Sequence, residues 1–523
     1  MESSAPKRAG LVLATLILVA AVANLNLAVA NVALPDIGQA FDAGQTQLNL
    51  IAVGYSLGLA ASVLYLGAVG DRYGRKSLLL LGMALSLPFA ALAALAPSAE
   101  VLFLARVLGG VAAGMAYPTT LALITALWSG QARTRSIALW SALGGGISAL
   151  GPLIAGALLE GFDWWSVFIV TAPLAAIALV LAWRLVPAHV NETTDRVDHL
   201  GGIISIGFVA TMVLAINFAP EAGKGELAAL LGVVAVVSGL IFLWRQKRAP
   251  NPLYDLHIAS RRTFWVAALA GIIVFGSLMG AMFIGQQFVQ NVLGYTTLGA
   301  GAAILPGALG MIVVAPRSAK LVASHGSRVV LLIGFVFCLL AFTEMLIFWD
   351  EDASYLPIGI GYLLVGIGVG FAGTPASRSL TGSVPVRRAG MASGTADLQR
   401  DLGGAIMQSI FGALLTAGYT SSFISQINAS PEAEKVSGQV QEELTKSFAS
   451  AATTAEQYPQ YAPQIIHAAR ESFLNGGDET YIAGMAAIAL GIAVIFFLFP
   501  KQQDENEMVE RFHAEDTAAA PSA

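Results

Sequence analysis

The chain has 523 residues, of which 56% are hydrophobic and 12% are charged, and its mean hydropathy is +0.71. A soluble globular domain carries about 25% charged residues, so this composition excludes the soluble multidomain protein that the length alone would suggest and indicates a polytopic membrane protein. The single cysteine, Cys338, lies in an apolar segment, which excludes a disulfide or a cysteine-based metal site within one chain.

Fourteen apolar segments are long enough to form membrane-spanning helices, because about 20 residues are needed to cross about 30 Å of hydrocarbon as a helix. They are Leu11–Val32, Leu48–Leu66, Leu78–Ala96, Val101–Trp128, Ile137–Leu159, Val167–Val186, Ile203–Ala219, Leu227–Trp244, Phe264–Ile284, Leu298–Ala315, Val329–Trp349, Leu356–Pro375, Met391–Ala417 and Tyr481–Phe499. The sequence therefore predicts an all-α membrane protein with 14 transmembrane helices.

The distribution of lysine and arginine predicts the orientation of the chain. With the N-terminus in the cytoplasm, 22 of the 28 Lys and Arg residues fall in cytoplasmic segments, four fall in outer segments and two fall inside spans. Cytoplasmic loops carry the excess of positive charge in membrane proteins. We therefore expect a multi-pass protein of a bacterial cell membrane with both termini in the cytoplasm.

A short charged turn, residues 67–77 (GAVGDRYGRKS), separates the second and third spans. Its charges cannot lie in lipid, so they mark a rim that faces water. The turn resembles the loop between helices two and three of the major facilitator superfamily, and the matching residues are Gly67, Asp71, Arg72, Gly74, Arg75 and Lys76. In that family the loop is a conformational latch on the cytoplasmic face, and the resemblance implies this role for Asp71 and Arg75. The alternative is that these charges only set the topology.

The number of spans is similar to that of the fourteen-span branch of the superfamily, which is known chiefly for drug:proton antiporters. That branch has two six-helix bundles and two helices inserted between them. The resemblance implies a cytoplasmic tail at 1–10, an N-terminal bundle at 11–186, two inserted linker helices with cytoplasmic loops at 187–262, a C-terminal bundle at 263–499 that includes an outer loop at 418–478, and a cytoplasmic tail at 500–523. The last tail is polar and then rich in Ala, Pro and Ser, so we expect it to be disordered.

Other local patterns are similar to this branch. They are Asn31–Pro35, Asp198–Gly201, Asn251–Leu253, Gln290–Tyr295 and Arg388–Gly394. The fifth span resembles the antiporter motif, and the matching residues are Gly146, Gly151, Pro152 and Gly156. Proline kinks a helix and glycine permits close contact, so this motif suits an occluding helix. Ala155 stands where the pattern has glycine, and close packing for stability alone is the alternative.

Three departures from the family pattern concern the substrate and the proton. The first helix has Asn26 where the family has an acidic residue, and an amide does not titrate. The fourth helix has Gly109 where the family has glutamine, and the sixth has Trp164–Ser166 in place of its W-R-W pattern. The first two departures leave drug specificity and the usual proton route open, while the fold that the resemblance implies is unaffected.

Ionised groups inside a bilayer are costly, so each one is a functional candidate. Asp397, Arg400 and Asp401 are spaced i, i+3 and i, i+4, which puts them on one face of the thirteenth span. Two carboxylates beside one guanidinium hold a first negative charge readily and a second only with difficulty, which suits proton exchange. We therefore predict that Asp397 or Asp401 carries the proton, with a fixed salt bridge as the alternative.

Two further charged residues in spans are candidates for proton coupling. Arg106 matches the family's arginine in the fourth helix, which the resemblance links to proton coupling; a counter-charge or hydrogen-bond donor to the first helix is the alternative. Glu344 lies near the outer end of its span, where it is either a gate residue or a side chain that reaches the interface.

The substrate cavity is expected between the two bundles near the membrane midplane. Amphipathic aromatic and amide side chains suit a semi-apolar ligand, and the candidates are Asn24, Asn26, Asn31, Tyr55, Tyr117, Trp140, Gln286, Gln287 and Gln290. The alternative is that the aromatic residues pack or anchor the interface and that the asparagines hydrogen-bond neighbouring helices.

The long outer loop has two amphipathic patterns of helical spacing. Apolar residues recur from Val436 to Phe448 and again from Ile466 to Phe473, before a predicted stop at Asn475–Gly477. We expect two short helices that cover the outer face and offer a surface to a protein partner. An unstructured loop is the alternative.

These features favour a secondary transporter that exports amphiphilic drugs or other small molecules in exchange for protons by alternating access. A first alternative is an exporter of a native lipid or metabolite without the standard proton coupling. A second is a membrane scaffold or sensor that transports nothing. No phosphate-binding glycine loop is present, which argues against ATP-driven transport, and the histidines are scattered, which argues against a metal site. We expect no enzymatic activity, cofactor or nucleic acid. The expected partners are the substrate, protons and membrane lipids.

Overall fold

The computed structural model describes residues 8–128, 130–188, 196–221, 223–384, 389–431, 433 and 436–518. Within this part of the chain every element of four or more residues is an α-helix, as predicted. The helices are α1 (Ala9–Ala28), α2 (Ala30–Phe41), α3 (Gln45–Tyr73), α4 (Arg75–Ala94), α5 (Ala99–Leu127), α6 (Gly130–Leu159), α7 (Ser166–Ile169), α8 (Ala172–Leu185), α9 (His199–Phe218), α10 (Gly225–Arg248), α11 (Leu256–Ala259), α12 (Arg262–Asn291), α13 (Thr297–Ala303), α14 (Leu305–His325), α15 (Ser327–Phe348), α16 (Tyr355–Gly382), α17 (Ala389–Ala429), α18 (Gly438–Lys446), α19 (Phe448–Gln457), α20 (Ala462–Leu498) and α21 (Gln502–Ala518).

Thirteen helices among the described residues are long and apolar enough to cross a membrane. The fifth predicted span falls in α6, whose described apolar segment, Leu150–Leu159, is shorter than a span. The prediction of many spanning helices is therefore confirmed, and the number fourteen stays a prediction.

The long helices pack in two groups that follow the order of the chain. Helices α1 to α8 contact mainly one another, and helices α12 and α14 to α17 contact one another and α20. Helix α13 leads directly into α14 and is counted with the second group, although most of its contacts are with α6. Glycines permit the closest pairing in the first group: a Cβ on Gly58 of α3 would lie 2.0 Å from the carbonyl oxygen of Val107, and one on Gly110 of α5 would lie 2.1 Å from that of Tyr55. Helices α9 and α10 pair with each other, and α9 also contacts α3 and α17, one helix from each group.

The molecule has two ends that are distinguished by their connections. The Asp71 end carries the turn between α3 and α4, where Gly74 has a φ of 111° that favours glycine. The opposite end carries α18 and α19, which together we call the cap. The cap is joined to α17, where Tyr419 donates a hydrogen bond to the carbonyl of Leu444, and it touches the start of α3, where Lys446 lies against Gly44.

The structure corrects the prediction for the long loop. Most of the first amphipathic pattern forms α18, which ends at Lys446. The next residue, Ser447, caps the start of α19 with its hydroxyl, and Phe448 is the first residue of that helix. The second pattern lies within α20, which continues through Asn475–Gly477, so the predicted stop is wrong. Glycine serves close packing here: a Cβ on Gly476 would lie 2.8 Å from the carbonyl oxygen of Leu415 in α17. The alternative of an unstructured loop is wrong for the residues of α18 and α19.

The C-terminal tail also differs from the expectation of disorder, because residues 502–518 form α21. Glu505 accepts hydrogen bonds from the hydroxyl of Ser327 at 2.7 Å and from its backbone N–H at 3.3 Å. Ser327 is the first residue of α15, so the carboxylate satisfies a free N–H at a helix N-terminus. Phe512 is buried beneath the guanidinium of Arg261, 4.5 Å from the ring centre. One buried aromatic ring and one helix cap thus fix a segment whose composition is polar.

Candidate functional site

The predicted proton site lies where the two helix groups meet. Arg400 of α17 donates from Nη1 to the hydroxyl of Tyr117 in α5 at 2.7 Å, and its guanidinium lies 4.7 Å from the centre of that ring. Its Nε lies 3.2 Å from Oδ1 of Asp401. Trp140 of α6 is 5.5 Å from Tyr117 and donates to the hydroxyl of Thr120 at 3.0 Å. We call Tyr117, Trp140, Asp397, Arg400 and Asp401 the interface cluster.

The two carboxylates of the interface cluster are buried and incompletely paired. Asp397 is 7% exposed and Asp401 is 1% exposed. One oxygen of each, Oδ2, has no hydrogen-bond partner among the described residues. A buried charge without a partner is costly, so either oxygen has a reason to take up a proton or to accept a donor from a ligand. The cluster holds one fixed cation and two acids, a set that can exist in more than one protonation state.

Arg106 occupies a second polar cluster, inside the first helix group. Its Nη1 donates to the backbone carbonyl of Asn26 at 2.6 Å, and its guanidinium lies 5.0 Å from the ring of Tyr55. The side chain of Asn26 accepts from the hydroxyl of Thr171 at 3.0 Å. A cavity of about 30 Å³ lies beside Asn26, Tyr55, Arg106 and Phe168, which is far below the roughly 300–1,000 Å³ of a ligand pocket. Arg106 therefore bonds to the first helix through a backbone carbonyl, as its alternative interpretation expected.

The two groups are joined near the cap by buried amides. Gln45 of α3 donates to Oδ1 of Asn49 at 3.0 Å and to Oε1 of Gln287 in α12 at 3.1 Å. Asn49 donates to the hydroxyl of Thr416 in α17 at 3.1 Å. Gln290 donates to the carbonyl of Val32 at 3.0 Å. We call Gln45, Asn49, Gln287, Gln290 and Thr416 the closing layer.

The three predicted cavity glutamines are thus not brought to the interface cluster. Gln287 and Gln290 belong to the closing layer, and Gln286 donates to the carbonyl of Ala300 within the second helix group at 2.8 Å. Sequence reasoning missed Gln45, Asn49 and Thr171. Gln45 and Asn49 are spaced i, i+4 at the start of a span, a signal that could have found them.

The motif in α6 lies against α13 of the other helix group. The hydroxyl of Thr297 donates to the carbonyl of Gly156 at 3.1 Å. A Cβ on Gly156 would lie 2.3 Å from the carbonyl oxygen of Thr297, and one on Gly301 would lie 2.4 Å from that of Pro152. Gly151 faces α1, where its Cβ would be 2.9 Å from that of Ala28. The surroundings of Gly146, also in α6, lie outside the described residues.

The predicted latch is a local ion pair that also contacts two neighbouring helices, since Arg75 donates to the carbonyl of Ala122 in α5 at 3.4 Å. Asp71 accepts from Nε of Arg75 at 2.8 Å, across the turn at Gly74. Lys76 donates to the carbonyl of Trp183 in α8 at 2.8 Å. Gly67 faces open space, and Arg72 is also engaged in a contact. The segment before α17, including Arg388 at the start of one family-like pattern, lies outside the described residues.

The remaining candidates are dispersed. Asn24 is buried in α1, and Asn31 is buried in α2 with Oδ1 unpaired among the described residues. Glu344 of α15 lies within the second helix group, where a Cβ on Gly361 would be 2.6 Å from Oε2. None of these three is placed in the interface cluster.

A polar contact that the sequence did not reveal docks α10 onto the start of α9. Arg245 donates to Asp198 at 2.9 Å, and the N–H of Gly201 donates to the same carboxylate at 3.0 Å. Burial alone would raise the pKa of Asp198, but the hydrogen bond from Arg245 and that from Gly201 outweigh it and hold the pKa below its usual value. The hydroxyl of Tyr65 in α3 lies 2.9 Å from Nδ1 of His199 at the start of α9, so α9 and α10 are fixed to the first helix group.

Comparison with known proteins agrees with this architecture. The family profile of the Major Facilitator Superfamily matches residues 16–408. The multidrug efflux pump LfrA of Mycolicibacterium smegmatis is 32% identical over 497 residues, which is 94% of this chain and 97% of LfrA. The methyl viologen resistance protein SmvA of Salmonella typhimurium is 27% identical and covers 95% of this chain and 99% of its own.

The fold is also shared with a solved structure. A bacterial homologue of the human lysosomal transporter Spinster, in an inward-facing and unoccupied conformation, superimposes with a TM-score of 0.61 over 98% of both chains at 16% identity. The family match spans most of the chain, and the relatives align over nearly their whole length. The chain belongs to the Major Facilitator Superfamily.

Proposed function

We propose that this protein is a fourteen-span transporter of a bacterial cell membrane, with both termini in the cytoplasm, that exports amphiphilic drug-like molecules in exchange for protons. The length and identity of the match to LfrA, which is named a multidrug efflux pump, support export of drugs. The excess of Lys and Arg in the segments at the Asp71 end supports the orientation. The cap then faces the outside of the cell.

The interface cluster is the observation that carries the coupling to protons. Arg400 bridges the helix groups through Tyr117 and is held on its other side by Asp401. Protonation of Asp401 removes the negative charge beside Arg400, so it changes the strength of the hydrogen bond by which Arg400 reaches Tyr117 in the other helix group. Proton binding and the relative position of the two groups are therefore linked, and linkage of this kind is reciprocal.

Alternating access requires that the two ends open in turn. The closing layer and the contact between α6 and α13 support a conformation in which the cap end is shut. Export from this conformation begins with substrate from the Asp71 end. The cap end opens when the amide hydrogen bonds of the closing layer separate, and the substrate leaves on that side.

A second candidate function is supported by Asn26. The neutral side chain donates to the carbonyl of Val22 and accepts from Thr171, so it satisfies its neighbours without any charge. This arrangement favours an exporter of a native lipid or metabolite that lacks the family's usual proton route. The two candidates differ in whether exchange depends on the carboxylates of the interface cluster.

The experiment reconstitutes the protein in liposomes and follows ethidium movement and internal pH together. Wild type is compared with the double variant Asp397→Asn, Asp401→Asn and with Asp352→Asn, which changes an exposed carboxylate in a loop. We expect the double variant to lose ethidium movement driven by a pH gradient, and Asp352→Asn to keep it. Gradient-driven movement at the wild-type rate in the double variant would remove the proton site from the interface cluster. A wild type that moves no ethidium would favour the second candidate.

A further inference from the structure

A cavity of about 270 Å³ lies at the cap end, between the two helix groups and the cap. Its walls come from α2, from the end of α12 and the start of α13, and from α19. The lining residues that matter here are Asp36, Gln39, Gln290, Tyr295, Thr297 and Phe448. Gln39 and neighbouring Thr296 are exposed, so the cavity opens to solvent. We call it the cap-end vestibule.

The vestibule lies directly against the contacts that close this end. Gln290 lines it and also donates to the carbonyl of Val32 in the other helix group. Thr297 lines it and also donates to the carbonyl of Gly156. A molecule in the vestibule therefore touches two of the side chains that join the groups, on the side open to solvent.

The charge of the vestibule is negative. Asp36 is its one acidic residue, and no cation of the described residues is within ion-pair distance of it. Lys446, the cation of the cap, is paired with Asp42 and Glu443 instead. Burial raises the pKa of the Asp36 carboxyl, and the charge of Asp163 raises it further. A cation bound beside Asp36 lowers this pKa again, because an opposite charge favours the ionised carboxylate.

The remaining walls suit a flat organic cation. Tyr295 and Phe448 line the same cavity as Asp36, and aromatic faces attract cations by about 0.5–2 kcal/mol. A volume of about 270 Å³ is close to the lower limit of about 300 Å³ for small-molecule pockets. Gln39, Gln290 and Asn291 add amide side chains to the lining.

We propose that the cap-end vestibule is a second binding site, in which a departing organic cation is held by Asp36 and the two aromatic rings after it has crossed the closing layer. This site rests on the proposed export function for its place on the release path. It requires no cofactor, and neutral substrates gain nothing from its carboxylate.

Binding is tested on purified full-length protein by equilibrium dialysis with methyl viologen. The variants are Asp36→Asn and Gln39→Arg, the second of which places a guanidinium three residues along α2 where it can pair with Asp36. Gln460→Arg is the matched control, because it adds the same charge at an exposed position after α19 that does not line the vestibule. We expect wild type and Gln460→Arg to bind one more equivalent than Asp36→Asn and Gln39→Arg. Equal stoichiometry and affinity in all four proteins would overturn the vestibule site.

A transport assay tests the vestibule site and the proposed export function separately. The same proteins are reconstituted in liposomes, and ethidium movement is measured. We expect Asp36→Asn and Gln39→Arg to slow ethidium release about tenfold, which corresponds to about 1.4 kcal/mol. A wild type that binds methyl viologen but moves no ethidium would overturn the export function and keep the site. Should Asp36→Asn fail to fold, the comparison of Gln39→Arg with Gln460→Arg still decides.

Discussion

Replacing Gly156 with alanine tests whether the contact between α6 and α13 holds the cap end shut. The added Cβ would lie 2.3 Å from the carbonyl oxygen of Thr297 and 2.8 Å from Cα of Leu298, whereas ordinary contacts begin at 3.4 Å. Both neighbours are backbone atoms of α13, which cannot rotate away as a side chain does. The two helices must therefore separate locally by about 1 Å, which is the difference between 3.4 and 2.3 Å.

The clash destabilises only the conformation in which the cap end is shut. Forcing an additional methyl into a packed contact costs about 1–3 kcal/mol. Helix α13 leads directly into α14 of the second helix group, whereas α6 belongs to the first. We therefore expect the clash to exist when the cap end is shut and to vanish when it opens. The population of the open cap end should therefore rise by roughly 5- to 150-fold.

The matched control is Gly58→Ala, where the Cβ would lie 2.0 Å from the carbonyl oxygen of Val107. That contact is within the first helix group, so it should lower thermal stability without favouring either conformation. Spin labels at Gln39 and Tyr458, in a Cys338→Ala background, report the distance across the cap end. We expect Gly156→Ala to add a longer distance that Gly58→Ala does not. An unchanged distance distribution in Gly156→Ala would refute the closing role of this contact.

Three further changes have defined outcomes. Tyr117→Phe removes the 2.7 Å hydrogen bond to Arg400 but keeps the ring. Hydrogen bonds to charged groups contribute about 1.5–3 kcal/mol, so ethidium efflux should fall about tenfold. Efflux at the wild-type rate would show that this hydrogen bond is dispensable. Asp71→Asn should slow efflux about tenfold at an unchanged amount of protein in the membrane, and normal efflux would remove the latch. Glu505→Gln should lower the free energy of unfolding by about 1 kcal/mol, as measured by thermal denaturation, while the exposed control Glu507→Gln should not; equal melting curves would contradict the cap on α15.

The sequence alone determined the helical architecture and the family. A bilayer offers no hydrogen-bond partners to the backbone, so each spanning segment must pair its own N–H and C=O groups by forming a helix. An apolar segment of sufficient length therefore predicts a helix without knowledge of its neighbours. The charged turn at Asp71 and the glycines of α6 could be found in the same way, because both are short motifs of fixed spacing. The face shared by Asp397 and Asp401 followed from helical periodicity alone.

Only the tertiary structure decided which side chains meet. Tyr117 and Arg400 are 283 residues apart, and no local pattern predicts that pair. No local pattern predicts the hydrogen bond of Gln287 in the closing layer either. The residues Asn475–Gly477 are typical of a helix end, yet α20 continues through them, because Gly476 packs closely against α17. The polar tail is helical because one ring, Phe512, is buried beneath Arg261. Contacts of this kind depend on how helices are placed relative to one another, which hydropathy does not encode.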